Sequence, residues 1–266
     1  MAFMPWVKTI MSEHKADIAV IGGTGLYQLP GLEEVERLKL LTRWGEPSSE
    51  IILTCLQSSN HSDRQVAFLA RHGLQHTIAP HKVNYRANLW ALKECGVKKI
   101  IAVAAVGGIT EQMSPETLVI PDQLIDYTYG RKHSFFEDDL DMVTHIDFTE
   151  PYSSGLRDQL LASAERLSIK TQATGVYAAT QGPRLETAAE IERLKRDGAD
   201  IVGMTGMPEA ALARELGIEY ACCALVVNWG AGCAGTTVID HSEMQQIIDK
   251  GMQKVKLLLL DTLKVI

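Results

Sequence analysis

The stretch AVIGGTGLYQL, residues 19–29, sets three glycines directly behind a short apolar run. Such a run, bounded by glycine, reads as a buried strand that ends in a turn. A dinucleotide-binding turn requires G-x-G-x-x-G, and from Gly23 the chain reads G-T-G-L-Y-Q, with Gln28 where the third glycine belongs. The fingerprint fails, which argues against an NAD-dependent oxidoreductase. Two readings stay open for the turn itself. It is a tight structural turn, or its exposed amides and the Thr24 hydroxyl cradle a compact anion.

Outward from this stretch, short Val, Ile and Ala runs alternate with longer amphipathic segments, the pattern of an α/β domain. The spacing predicts strands at 17–22, 51–56, 65–70, 99–106, 117–120, 173–179, 200–204 and 219–227. It predicts helices at 84–95, 154–168, 186–197, 208–217 and 241–263. Gly96, Gly198 and Gly217 follow three of these helices as C-terminal caps. No repeat or low-complexity linker divides the chain, so residues 17–266 read as one domain behind an N-terminal extension, 1–16. Residues 128–153 mix aromatics, acids and histidines without periodicity, as a functional segment or a solvated surface loop does.

With 46% hydrophobic residues in a chain of 266, there is enough apolar material for a large core. A formal net charge of -7 gives no electrostatic reason to expect nucleic acid or an anionic membrane as partner. No apolar run reaches the ~18 residues of a membrane span, and the first residues lack a secretory pattern. A cytoplasmic protein with a small-molecule ligand is expected. The five cysteines are odd in number and show no CxxC spacing, so they read as reduced thiols. Cys222 and Cys223, neighbours in a strand, should face opposite ways.

Four further segments carry polar chemistry. In FLARHG (68–73) a strand ends at Arg71 and His72, donors suited to an oxyanion or to a surface ion pair. In QGPRLETAAEI (181–191) Glu186 falls near a helix N-terminus, where dipole and capping alone favour an acid. In GMTGMPEAALARELG (203–217) Met204 and Thr205 end a strand and Pro208 opens a helix; Met204 also suits the core. In CALVVNWGAGC (223–233) Asn228 interrupts an apolar strand, so its amide needs partners from the backbone or from a ligand.

In this order, and with HKVNYRANLWALKECGVKKIIAVAAVGGI at 81–109, these segments resemble the trimeric purine nucleoside phosphorylase and methylthioadenosine phosphorylase family, from about residue 17 onward. The resemblance implies an α/β nucleoside-phosphorylase fold: a single domain whose mixed, partly barrel-like sheet is flanked by helices. It implies a homotrimer and phosphorolysis of an N-glycosidic bond, with inorganic phosphate as co-substrate and no metal or other cofactor. By position, Thr24, Arg71, His72, the backbone around Ala105 and Thr205 correspond to the phosphate site. Met204 would pack under the ribose, and Glu186 and Asn228 would hold the base. His145 matches a residue contributed to a neighbouring subunit's sugar pocket, and Val238 and His241 would meet the 5' end. The chain departs from the methylthioadenosine enzymes at Ala104, where they carry a threonine, and at Asn228 and Gly230, where they carry aspartates.

The asparagine bears on the base. A 6-oxopurine presents the acceptor O6 beside N7, and one carboxamide can donate to O6 while accepting from N7–H. The Glu186 carboxylate can accept the N1–H of hypoxanthine or guanine, whereas neutral adenine has no proton there. An oxo-type base site in a chain otherwise similar to the methylthioadenosine branch resembles the bacterial S-methyl-5'-thioinosine phosphorylases, with an inosine/guanosine phosphorylase or a methylthioadenosine phosphorylase as the alternative. A nucleoside-binding regulator without turnover is the third class.

Overall fold

The computed structural model describes residues 16–23, 26, 29–57, 63–137, 142–236, 238 and 240–266, with the side chain of His241 outside the description. The expected extension, apart from Ala16, and Thr24 of the glycine turn also lie outside it. In chain order the elements are β1 (Ile18–Gly22), β2 (Leu32–Leu38), β3 (Ile51–Leu56), β4 (Arg64–Ala70), a 3-10 turn (Pro80–Lys82), α1 (Tyr85–Glu94), β5 (Lys99–Gly108), β6 (Leu118–Val119) and β7 (Gln123–Asp126). They continue with α2 (Ser154–Arg166), β8 (Thr171–Gln172), β9 (Val176–Ala179), α3 (Ala188–Arg196), β10 (Ile201–Gly203), α4 (Glu209–Glu215), β11 (Glu219–Trp229), a second 3-10 turn (Cys233–Gly235) and α5 (His241–Val265).

One mixed sheet runs β2-β3-β4-β1-β5-β10-β9-β7, and it branches at β5, which also pairs with β11. β4, β1, β5 and β11 are parallel, while β10 meets the end of β5 antiparallel. Side chains alternate between two cores. Ala19 and Ile21 of β1, with Ile100 and Ala102 of β5, join one core, under α1 and α4. Ile18 and Val20, with Ile101 and Val103, join the other, under α2 and α5. A sheet covered on both faces explains the near-continuous apolar runs of these strands. Cys222 and Cys223 do face opposite cores, and all five cysteines are free thiols.

The three cap glycines adopt positive φ, 91° at Gly96, 93° at Gly198 and 67° at Gly217, so the helix ends follow from sequence. Three strands were not expected: β2, β7 and the two-residue β8. β2, LEEVERL, is an edge strand whose acids face outward, and charge on an edge hinders pairing with other chains. The expected strand 173–179 begins only at Val176, as β9 between β10 and β7, while β8 ends before it and pairs with β6. No helix among the described residues is long and apolar enough to cross a membrane.

Packing is tight where β5 ends. A Cβ on Gly108 would lie 1.8 Å from the carbonyl oxygen of Met113, a backbone atom that cannot swing aside. Gly108→Ala should therefore cost about 1–3 kcal/mol or more. Gly155→Ala, in helix α2 with nothing within 4 Å, should be neutral or slightly stabilising. Thermal denaturation of the two variants checks the contrast.

Candidate active site

β1 pairs with β5 only as far as Ala102, and β10 joins β5 only from Gly107. Between them, residues 103–106 keep their β11 partner on one side and have no strand partner among the described residues on the other. Open backbone at the carboxyl ends of parallel strands is where α/β proteins place ligands. Ala105, in the middle of this gap, is exposed although its neighbours are buried.

Arg71 and His72 follow β4, and the Arg71 amide donates to the Gly22 carbonyl at 3.0 Å, fixing this turn beside the glycine turn. Arg71 is not the exposed group that a surface ion pair requires. It is 3% exposed, and its Nε and Nη2 donate to the two carboxylate oxygens of Glu209, both at 2.7 Å. Nη1 donates to the Val103 carbonyl at 3.0 Å, inside the gap. The Tyr220 hydroxyl completes the Glu209 shell at 2.8 Å. Burial opposes the Arg71 charge, but Glu209 more than offsets it and holds the pKa above its ordinary value. Much of the guanidinium fork thus serves Glu209, a residue absent from the sequence expectations.

His72 places Nδ1 2.8 Å from the Ile78 carbonyl and its ring 4.8 Å from that of His76. Burial, then the neighbouring Arg71 charge, push its pKa down to about 4, so the ring is neutral near pH 7.

Glu186 corrects the expected helix boundary. α3 begins at Ala188, and its capping box is formed by Thr187 and Glu190. Glu186 lies before the helix, so capping does not explain it; its Oε1 instead accepts from the Thr180 hydroxyl at 2.6 Å. Asn228 lies just past a register shift between Val226 and Asn228, a bulge of the kind that re-aims side chains near sites. Its Nδ2 donates to the Trp229 carbonyl at 2.7 Å, leaving one amide hydrogen and Oδ1 without a partner among the described residues. Gly232 and Gly230 bring the following loop against Ala188 and Ile191 of α3, so the Asn228 loop adjoins the segment that begins at Glu186.

Met204 is half-buried, and Gly182 lies so close that a Cβ there would sit 2.4 Å from its sulfur. The Thr205 amide points at the hydroxyl of fully buried Tyr177, at 3.4 Å. A second arginine ties these loops together. Arg131, within the irregular 128–153 segment, donates to the carbonyls of Met204 (2.9 Å), Met207 (2.6 Å), Thr180 (3.1 Å) and Gln181 (2.9 Å), and to Gln181 Oε1 (3.2 Å). Sequence reasoning singled out the segment but not the residue, since nothing local distinguishes an arginine with distant partners.

The structure thus sets Arg71 and His72 just past β4, Ala105 within the unpaired stretch of β5, Glu186 ahead of α3, Met204 and Thr205 just past β10, and Asn228 in the bulged end of β11. His145 is exposed without a partner among the described residues, and Val238 is 80% exposed. Among the described residues no three His, Cys, Asp or Glu side chains cluster to hold a metal ion.

The phosphorylase superfamily model matches residues 17–264, and the chain belongs to that family. It is 56% identical over 238 residues to a probable S-methyl-5'-thioinosine phosphorylase of Pseudomonas syringae pv. tomato, covering 90% of this chain and 94% of the relative. It is 42% identical over 254 residues to the 6-oxopurine nucleoside phosphorylase of Pyrococcus furiosus, covering 94% and 92%. Among solved structures, a methylthioadenosine phosphorylase from an antarctic soil metagenomic library superposes with a TM-score of 0.88 at 37% identity, covering 95% of this chain and 87% of that one.

Removing Glu209 would strand the buried Arg71 charge. Glu209→Ala should destabilise the fold by about 3–5 kcal/mol, and Arg71→Met/Glu209→Leu should recover most of that, both read by chemical denaturation. Arg131→Lys keeps a charge but loses the five-donor fan. Amide hydrogen exchange should rise at 180–182 and 204–207 while the β1, β4 and β5 core stays protected.

Proposed function

We propose that this protein cleaves the N-glycosidic bond of a 6-oxopurine nucleoside with inorganic phosphate, and that its substrate is S-methyl-5'-thioinosine, giving hypoxanthine and 5-methylthioribose 1-phosphate. The observation that carries the base assignment is the pair Asn228 and Glu186. The bulged strand leaves the Asn228 amide one hydrogen and Oδ1, the two functions that O6 and N7–H of an oxopurine require. Glu186 stands outside its helix's capping box, with a carboxylate oxygen to offer N1–H.

Phosphate sits across the sugar, against His72, Thr205, the open backbone at Ala105 and the remaining donors of Arg71, with Thr24 assigned to the same site by family resemblance. As the C1'–N9 bond breaks, its electron pair moves into the purine. A phosphate oxygen forms the new bond to C1' from the opposite face, and a solvent proton settles on N7. Asn228 holds the ring that gains negative charge, so its interaction strengthens toward the transition state, which is what lowers the barrier. Met204 lies under the ribose. No side-chain nucleophile is needed.

The reading extends to a cytoplasmic homotrimer in which the exposed His145 serves a neighbouring subunit's sugar pocket, with Val238 and His241 at the 5' end. The relatives support the substrate class, since the two named above act, by name, on S-methyl-5'-thioinosine and on 6-oxopurine nucleosides.

Free base should be released from methylthioinosine, and more slowly from inosine or guanosine, only when phosphate is present. Release from methylthioadenosine and adenosine alone, or release without phosphate, would refute the proposal. Asn228→Asp should lower 6-oxopurine turnover about 10²-fold with little change in phosphate affinity. Unchanged turnover would remove Asn228 from the base site.

A further inference from the structure

His72 has one feature that the phosphorolysis scheme does not use. A carbonyl oxygen can only accept, so the Nδ1 that lies 2.8 Å from the Ile78 carbonyl carries the ring's proton. In a neutral imidazole the other nitrogen, Nε2, is then an acceptor. The charged and titratable groups around the ring favour this neutral form on balance. Arg71 and His76 on its own turn oppose a second proton, and Glu209 of α4, which favours one, is already matched in charge by Arg71. Burial opposes it further, and the pKa of about 4 agrees.

The same pairing bears on anion selection. With its charge matched by Glu209, Arg71 supplies little net attraction, and the anion is chosen by the polarity of individual hydrogen bonds. An acceptor at Nε2 repels a bare oxyanion oxygen and attracts a hydroxyl.

We propose that His72 is the specificity-determining residue for the oxyanion: Nε2 accepts a hydrogen bond from the P–OH of hydrogenphosphate, so the site takes an oxyanion that carries its own proton. Arsenate, which is protonated alike, binds in the same way. Sulfate, with the same shape and charge but no hydrogen near neutral pH, binds only if His72 first takes up a proton from solvent. This inference rests on the assignment of His72 to the phosphate site.

The test is calorimetric titration of the full-length protein with phosphate and with sulfate, in pairs of buffers of different ionisation enthalpy, above the second ionisation of phosphate. Phosphate should bind without net proton uptake and with an affinity that changes little with pH. Sulfate should bind more weakly, take up one proton, and lose affinity about tenfold per pH unit. His72→Gln, whose amide presents either N–H or C=O, should bind both anions similarly and without proton uptake. Sulfate binding as tight as phosphate and without proton uptake in the parent overturns the proposal and leaves the phosphate site standing. A His72→Gln protein that keeps the parent's phosphate affinity and its discrimination removes His72 from the site, and the proposal with it. A parent that binds neither anion refutes the phosphorolysis reading as well. If His72→Gln does not fold, proton uptake by the parent still decides.

Discussion

The site exists because β5 cannot stay paired on both sides along its whole length. Ten residues long, it runs beside β1 for its first half and meets β10 only at its last two residues. Backbone groups in the interval need partners, because buried amides and carbonyls are seldom left unmatched. Arg71 supplies one to Val103, and an anion at Ala105 would supply others. The two cores that flank the sheet hold the strands in place, so the gap is a fixed feature of the fold.

Around this gap, buried polar groups serve geometry. The Arg71–Glu209 pair joins the end of β4 to the start of α4, and Tyr220 of β11 ties in a third element. Arg131 gathers the ends of β9 and β10 with one planar group. Networks of this kind fix a unique arrangement when every member is satisfied, and are costly when one is missing. Together they locate the loops that carry Glu186, Met204 and Thr205.

The proposed chemistry suits such a scaffold. Phosphorolysis needs no enzyme nucleophile, only a nucleophile and a leaving group held on opposite faces of a sugar that becomes positive in the transition state. In the proposed scheme the phosphate-site arginine is already balanced by a carboxylate, and the base site sets the neutral Asn228 amide beside the Glu186 carboxylate. Selectivity then lies in which atoms donate and which accept.

Much of this was legible in the sequence. The apolar runs and 3.6-residue periodicities located most strands and helices, and the cap glycines located three helix ends, because these signals are local. Asn228 stood out as a polar residue in an apolar strand, and Arg71, His72 and Glu186 as polar groups at element ends. β2 escaped notice because its acids reflect its edge position, known only once the sheet is assembled. The start of α3 was misplaced because either Glu186 or Glu190 could have been the first-turn acid, and only Thr187's geometry chooses between them.

The sequence by itself determined the α/β alternation and the three glycine-capped helix ends, since each depends on neighbours a few positions away, and family resemblance marked the residues proposed to hold an oxyanion and a keto purine. Only the tertiary structure decided that Arg71 is paired with a carboxylate 138 residues along the chain, that Arg131 pins four distant carbonyls, and that a bulge turns Asn228. Those partners meet through strand pairing and packing across the sheet, and no local spacing encodes which distant acceptor a buried arginine will find.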